Sequence, residues 1–213
     1  MDTVVSDARI RMVRCELGPY GTNSYVVMCA QTRASVLIDA PGEEEKLMRA
    51  LDGTLPKCIL ITHGHLDHVG ALAELRSALH VPVLVHPGDA HDLPLPADRF
   101  IGDGDCVECG ALRLEVIHTP GHTQGSVCLL TEDVLISGDT LFPGGPGRTR
   151  SPQDFSRILE SIRRRILPLP DHARVFPGHG ESTVLGREKP LIKAFLARSH
   201  DPGLCGDVLW ETF

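Results

Sequence analysis

The sequence predicts a sheet-rich α/β domain with helices packed outside its strands. Short apolar or alternating runs typical of strands occur in both halves of the chain, and amphipathic segments typical of helices lie between them. With 42% hydrophobic and 23% charged residues, the chain can bury a full core. A length of 213 residues fits one domain, so we predict a single domain over residues 1–213.

The first quarter of the chain has the patterns of three strands and a helix. Strands are predicted over Ile10–Leu17, Ser24–Met28 and Ser35–Asp39. A helix is predicted over Glu43–Leu51, because acidic residues in its first turn suit the helix dipole and Gly53 follows its end.

A strand–helix–strand unit is predicted next. The nearly all-apolar run Cys58–Thr62 is typical of a buried strand, and Gly70–His80 carries leucines at helical spacing. Val81–His86 completes the unit as a strand. Residues 87–105 are rich in Pro, Asp and Gly, so we expect mostly loop there.

The second half repeats the mixture of strands and helices. Its predicted strands are Leu112–Ile117, Ser126–Leu130, Val134–Ser137 and Arg174–Phe176. Ser151 followed by Pro152 predicts a helix start, and apolar residues from Phe155 to Ile166 give that helix a buried face. A last helix is predicted over Lys189–Arg198, whereas the tail from His200 to Phe213 has no pattern that places it.

The charge of the chain argues against nucleic acid as a partner. The net charge is -7, and nucleic-acid binders usually show a basic surface. The one dense basic run, Arg163–Arg165, falls in a predicted amphipathic helix and is interpreted as its solvated face. We therefore expect a small-molecule substrate.

The distribution of apolar residues and cysteines suggests a cytoplasmic protein without a membrane partner. No apolar run approaches the roughly 18 residues of a membrane span, and residues 1–20 contain no apolar block typical of a signal peptide. The chain has seven cysteines, an odd number that cannot all pair within one chain, which favours reduced thiols over a disulfide framework. The pair Cys106 and Cys109 is interpreted as two small apolar residues near a hairpin.

The most informative segment is His63-Gly64-His65-Leu66-Asp67-His68, directly after the buried strand over 58–62. The end of a strand holds a side chain rigidly, while the following loop leaves it open to a ligand. Imidazole and carboxylate groups suit zinc, iron or manganese. Four such groups crowded together would be unfavourable unless a cation organised them.

Three further candidates follow predicted strands, each next to a glycine that allows a sharp turn: His122, Asp139 and His179. With the first four they supply seven ligands. Seven are too many for one tetrahedral ion and suit two ions that share a carboxylate. Among the other histidines, only His86 and His118 stand near enough to the motifs for a role at the rim.

The four motifs resemble those of the metallo-β-lactamase superfamily. They are H-x-H-x-D-H at 63–68, T-P-G-H-T at 119–123, S-G-D-T-L-F at 137–142 and P-G-H-G at 177–180, with a looser match at G-T-N-S-Y (21–25) and at Glu188-Lys189. The resemblance implies an αββα four-layer sandwich. It also implies that His63, His65 and His122 hold one metal, that Asp67, His68 and His179 hold a second, and that Asp139 bridges both.

The subgroup that the chain most resembles is the short glyoxalase II-like hydrolases, which share Gly147-Arg148-Thr149. Our hypothesis is that two divalent ions, zinc first and iron or manganese as alternatives, turn a shared water into a bridging hydroxide. This hydroxide would attack a thioester such as S-lactoylglutathione. Asp67 and Asp139 would be catalytic, and Arg148, with Arg150 beside it, would bind an anionic group of the substrate. Only about 33 residues follow Gly180, so we expect the glutathione-binding C-terminal region of classical glyoxalase II to be missing or much reduced.

Other activities of the same fold stay open. Persulfide dioxygenases share much of the pattern but use one iron, and lactonases also remain compatible. A true β-lactamase is disfavoured, because the commonest zinc-dependent type has Cys where Asp139 stands. Ribonuclease members need further domains or an exosite. A metal-binding protein without activity is hard to reconcile with a complete ligand set.

Overall fold

Two β-sheets packed face to face form the centre of the protein. The computed structural model describes residues 1–211, so the last two residues of the tail that the sequence left unplaced lie outside the described residues. The first sheet has seven strands, adjacent in chain order: β1 (Asp2–Ser6), β2 (Ile10–Leu17), β3 (Thr22–Cys29), β4 (Ala34–Ile38), β5 (Leu55–Leu60), β6 (Val83–Val85) and β7 (Arg99–Phe100). The strands from β1 to β4 pair antiparallel, and those from β4 to β7 pair parallel.

The second sheet is built from the second half of the chain. Its strands are β8 (Cys106–Cys109), β9 (Leu112–His118), β10 (Val127–Thr131), β11 (Val134–Gly138), β14 (Arg174–Pro177) and β15 (Thr183–Val184). Their order is β15-β14-β11-β10-β9-β8, and a two-stranded hairpin of β12 (Leu141–Phe142) and β13 (Gly145–Pro146) stands beside them. Only β11 and β14 pair parallel within the described part of this sheet.

Helices cover the outer faces of both sheets. They are α1 (Glu44–Ala50), α2 (Leu66–Val69), α3 (Leu72–Leu79), α4 (Pro152–Ser161), which a π-helical turn (Ile162–Ile166) continues, and α5 (Leu185–Leu196). A 3₁₀ turn spans Pro87–Asp92. Every helix within residues 1–211 is too short or too polar to cross a membrane.

Three apolar layers hold these elements together. Val36 packs in the layer between the sheets, whereas its neighbour Leu37 packs with Leu47 and Leu72 under α1 and α3. Successive side chains of a strand point to opposite faces, so β4 contributes to both layers. A third layer lies between the second sheet and the helices α4 and α5. The order helix, sheet, sheet, helix confirms the αββα sandwich.

The predicted helices differ from the observed ones at two places. The segment predicted as one helix over Gly70–His80 contains α3 alone, and α2 precedes it where a loop was expected. The break lies at Gly70, where a Cβ atom would stand 2.5 Å from the backbone oxygen of Pro41, so the chain crosses too closely for a side chain. The last helix begins at Leu185 rather than Lys189, because the fully buried Leu185 anchors an additional turn before Pro190.

Some strands and turns had no signal in the sequence. The strand β1 was not predicted, and β5 begins at Leu55 and ends at Leu60 rather than spanning Cys58–Thr62. The expected loop over 87–105 contains the 3₁₀ turn and β7. Asp89 fixes this turn, since its buried carboxylate accepts hydrogen bonds from backbone N–H groups of Gly64 and Gly125.

Several smaller predictions are confirmed. Cys106 and Cys109 lie in the hairpin of β8 and β9, and all seven cysteines are free thiols. The run Arg163–Arg165 is solvated and forms ion pairs with Glu160 and Asp103. The tail, for which the sequence predicted no placement, folds back on the domain, where the buried ring of Trp210 packs against Phe195 on α5.

Candidate metal centre

The structure brings all seven sequence-predicted ligands together at one edge of the sandwich. The ligands reach this edge from the carboxyl ends of strands or from the segments that follow them. β5 is followed by His63 and His65 and then by Asp67 and His68 on α2, while His122 follows β9, Asp139 follows β11 and His179 follows β14. Because β4 and β5 are parallel, as are β11 and β14, their carboxyl ends meet at the same edge of each sheet.

The first group of ligand atoms consists of three imidazole nitrogens. His65 Nδ1 lies 3.0 Å from His63 Nε2 and 2.9 Å from His122 Nε2. Zinc–nitrogen bonds of about 2.0–2.1 Å at tetrahedral angles place ligand nitrogens roughly 3.3–3.4 Å apart. The observed spacing therefore suits one divalent ion after shifts of a few tenths of an ångström.

The second group combines a carboxylate with two imidazoles. Asp67 Oδ2 lies 3.3 Å from His179 Nε2 and 3.8 Å from His68 Nε2, and the two ring nitrogens are 3.4 Å apart. This spacing again suits a single divalent ion.

Asp139 stands between the two groups. Its Oδ2 lies 3.4 Å from His122 Nε2, in the first group, and 3.6 Å from His179 Nε2, in the second. Its buried Oδ1 accepts no hydrogen bond from the described residues and has His68 Nε2 at 3.6 Å. A buried carboxylate oxygen without a donor is costly, and a shared cation would satisfy it.

The outer nitrogens of four histidines have partners that fix the tautomer. The Nδ1–H of His68 donates to the Asp39 carboxylate at 2.8 Å, and that of His63 donates to Thr62 Oγ1 at 3.2 Å. The other two rings donate to backbone oxygens. The Nδ1–H of His122 donates to the oxygen of Arg148 at 2.8 Å, and that of His179 donates to the oxygen of Tyr20 at 3.1 Å. In each of these four rings the Nε2 lone pair then faces the centre, toward the carboxylates of Asp67 and Asp139. This concentration of acceptors fits two cations.

The pKa values of the cluster are shifted in both directions. Burial and the neighbouring histidines lower the pKa of His63, and burial, His122 and Arg150 lower that of His65, so both favour the neutral, metal-binding form. Burial also acts to lower the pKa of His68, but the Asp39 carboxylate and the other acids outweigh it and raise the pKa to about 9. A metal would therefore displace a proton from His68.

Asp39 is a candidate functional residue that the sequence analysis missed. Its carboxylate is buried and accepts hydrogen bonds from the Thr62 backbone N–H, the Thr62 hydroxyl and His68 Nδ1, all at 2.7–2.8 Å. It thus ties the end of β4 to the start of the ligand motif and orients a ligand without touching the metal position. A signal existed in the sequence: a single carboxylate ends the mostly apolar run that predicts a strand over Ser35–Asp39.

The G-T-N-S-Y segment holds the last ligand loop in place. The Asn23 amide donates to the backbone oxygens of Pro177 and Gly180, and the Tyr25 hydroxyl donates to Pro177 at 2.6 Å. Thr22 donates to Asp67 Oδ2 at 3.2 Å. The looser motif match at 21–25 therefore marks residues that support the ligands.

A cavity of about 930 Å³ lies over the cluster. Arg148 and Arg150 both line it. The Arg148 side chain is largely exposed at the rim, 3.6 Å from the Asp207 carboxylate, and Arg150 Nη2 lies 3.2 Å from His65 Nε2. His86 and His118, in contrast, stack on each other at 4.0 Å and are not among the residues that line this cavity.

Comparison with known proteins identifies the family. The profile of the metallo-β-lactamase superfamily matches residues 17–179. A probable metallo-hydrolase, YqgX of Bacillus subtilis, is 36% identical over 208 residues, which cover 85% of this chain and 97% of the relative. The hydroxyacylglutathione hydrolase GloC of Haemophilus influenzae is 35% identical over 179 residues, 73% of this chain and 84% of the relative. The chain belongs to the metallo-β-lactamase superfamily and is one of its metallo-hydrolases.

Solved structures agree on the fold. BLEG-1, a B3 metallo-β-lactamase, has a TM-score of 0.78 at 33% identity and covers 84% of this chain and 96% of its own. TTHA1623 in a di-iron-bound form has a TM-score of 0.71 at 36% identity, covering 83% and 96%. ETHE1 from Myxococcus xanthus has a TM-score of 0.73 at 27% identity, covering 85% and 84%.

Proposed function

We propose that this protein hydrolyses thioesters of an anionic thiol carrier, with S-lactoylglutathione as the reference substrate, using two divalent metal ions. The observation that carries the proposal is Asp139, which stands between two complete ligand groups. The relationship to hydroxyacylglutathione hydrolases, one of them 40% identical over 162 residues in Anaeromyxobacter dehalogenans, supports the choice of substrate. Zinc is the first candidate metal, and the di-iron form of TTHA1623 supports iron as a second.

The reaction adds water to the carbonyl carbon and breaks the carbon–sulfur bond, which gives a carboxylic acid and a thiol. Two bound divalent cations supply a water of lowered pKa and polarise the carbonyl oxygen. Asp67, about a quarter exposed to the cavity, would orient the attacking water through a hydrogen bond. The thiol leaves readily as a thiolate, because its pKa of about 8.5 is far below that of an alcohol.

The arginines at the rim suit the carrier. Glutathione carries carboxylates, and guanidinium groups bind carboxylates through paired hydrogen bonds. Arg148 and Arg150 line the cavity over the cluster, close enough to hold such a group while the thioester carbonyl lies at the metal position. A small anionic molecule is therefore the proposed partner.

The test is release of thiol from S-lactoylglutathione by protein loaded separately with zinc, iron or manganese. Turnover should disappear with a chelator and return with metal, and His65→Ala and Asp139→Ala should lose both metal and turnover. His172→Ala, which removes an exposed histidine outside the cluster, is the matched control and should behave as the unchanged protein. Full turnover without metal, or no thiol release from any metal form, would contradict the proposal.

Persulfide dioxygenation is the second candidate, which the likeness to ETHE1 favours. Against it stands the second ligand group of Asp67, His68 and His179, which a reaction at one iron does not need. Oxygen uptake with glutathione persulfide by the iron-loaded protein separates the two. Lactones and β-lactams in the same panel test the remaining activities of the fold.

A further inference from the structure

A second, smaller cavity of about 320 Å³ opens beside the metal cluster. His122, Asp139 and His179 form one wall, so this cavity is continuous with the reaction site. The other lining residues are mainly apolar and form what we call the apolar wall: Phe142, Pro143, Pro146, Val208 and Leu209. Arg148 and Asp207 stand at its edge.

Main-chain hydrogen bonds of the tail build the apolar wall. Gly206 and Thr149 exchange two backbone hydrogen bonds, at 3.0 and 3.2 Å. The backbone N–H of Trp210 donates to the backbone oxygen of Gly144 at 2.8 Å. Between these anchors the tail lies directly on the hairpin of β12 and β13, since a Cβ atom on Gly145 would stand 2.6 Å from the oxygen of Val208. The wall is therefore fixed in position.

Leu209 is the exposed apolar side chain of this wall. It is 57% exposed, whereas its neighbours Val208 and Trp210 are 3% and 2% exposed. Phe142 also lines this cavity, and its ring centre lies 6.4 Å from that of His179 at an interplanar angle of 28°. An anchored leucine left open toward a cavity that contains metal ligands offers apolar surface to a bound molecule.

We propose that the tail segment 206–210 and the hairpin of β12 and β13 form an acyl-binding subsite, so that the protein prefers thioesters with aliphatic acyl chains over the small polar lactoyl group. The inference rests on the proposed thioester hydrolysis. The carbonyl group must lie at the metal cluster. The acyl chain and the thiol carrier, which are both attached to the carbonyl carbon, must then extend from it in different directions. The larger cavity, with Arg148 and Arg150, suits the anionic carrier, and the apolar cavity beside it receives the acyl chain.

The first test compares kcat/KM for S-acetyl-, S-butanoyl- and S-hexanoylglutathione. Burial of each methylene is worth about 0.8 kcal/mol, so kcat/KM should rise by up to about fourfold per methylene until the cavity is full. Leu209→Ala should flatten this rise, while Leu209→Trp, which fills the cavity, should lower kcat/KM for the hexanoyl substrate more than for the acetyl substrate. Leu55→Ala, an exposed leucine at the start of β5 and far from the motif, is the matched control.

The second test measures binding of S-methyl-, S-butyl- and S-hexylglutathione, which cannot be hydrolysed, by calorimetry. Affinity should rise with chain length in the unchanged protein and much less in Leu209→Ala, with equal melting temperatures for the two. Normal lactoyl turnover with no dependence on chain length in either test would overturn the subsite and leave the proposed function intact. Absence of hydrolysis for every acyl chain would overturn both.

Discussion

Replacement of Asp39 by Asn tests whether a residue outside the ligand set controls metal binding. In the native protein one carboxylate oxygen accepts from the Thr62 backbone N–H, and the other accepts from the Thr62 hydroxyl and His68 Nδ1. An asparagine has nearly the same shape and tolerates the left-handed backbone at this position, where φ is 59°. Whichever way the amide is turned, however, its NH₂ group faces one of the two N–H donors.

The magnitude follows from these contacts. If the NH₂ group faces His68, the ring is stable only with its proton on Nε2, the atom that points to the metal position. Loss of such a partner typically weakens metal binding 10–100-fold, or about 1.4–2.7 kcal/mol. The buried donor left without an acceptor costs a further 1–3 kcal/mol of folding stability, roughly. The pKa of His68 should also fall from its value of about 9, because the Asp39 carboxylate is the main group that raises it against the effect of burial.

Competition with a chromophoric chelator gives the metal affinity, and nitrogen chemical shifts of the imidazole give the tautomer. The matched control is Asp98→Asn, because Asp98 likewise accepts a backbone N–H and a side-chain donor but lies outside the cluster. We expect weaker metal binding and a changed His68 tautomer in Asp39→Asn alone. Native affinity in Asp39→Asn would refute the argument that Asp39 orients His68.

Three further predictions concern stability, packing and substrate binding. Because the folded pKa of His68 lies above its ordinary value of 6.5, this side chain should contribute about 3 kcal/mol to the stability of the metal-free protein below pH 6.5 and lose that contribution as pH rises through 9. An equal fall in urea stability between pH 6.5 and pH 10 in the unchanged protein and in His68→Gln would contradict this. Gly178→Ala should abolish tight metal binding, since the added Cβ would lie 2.1 Å from Asp139 Oδ1, whereas Gly42→Ala, with open space around it, should bind metal normally. Arg148→Ala should raise KM about tenfold for a glutathione thioester and leave it unchanged for a thioester of a neutral thiol, as expected for loss of one charged hydrogen bond.

The candidate ligand set was predictable from the sequence because its residues follow local patterns. The segment His63–His68 concentrates four ligands in six residues after an apolar run, and each distant ligand follows a strand and a neighbouring glycine. The strands themselves were predictable from their apolar runs, since β2 and β4 are at least half buried along their length. These features depend on residue type and spacing alone.

Features that depend on contacts between distant segments were missed. Asp39 reaches His68 because β4 and β5 are parallel neighbours, which brings the ends of the two strands together. The residues around Asp39 do not predict that pairing. The tail is held by backbone hydrogen bonds to Thr149 and Gly144, which leave no periodic pattern in the side chains. The interruption between α2 and α3 reflects a close crossing with Pro41, which is likewise a tertiary contact.

Elemental analysis of the purified chain, reconstituted with zinc and freed of loosely bound metal, tests most directly whether these side chains hold a pair of cations. We predict two divalent ions per chain in the unchanged protein and fewer than one in Asp139→Ala, because the bridging carboxylate belongs to both groups. Retention of one ion or none by the unchanged protein, or of two by Asp139→Ala, would contradict the account.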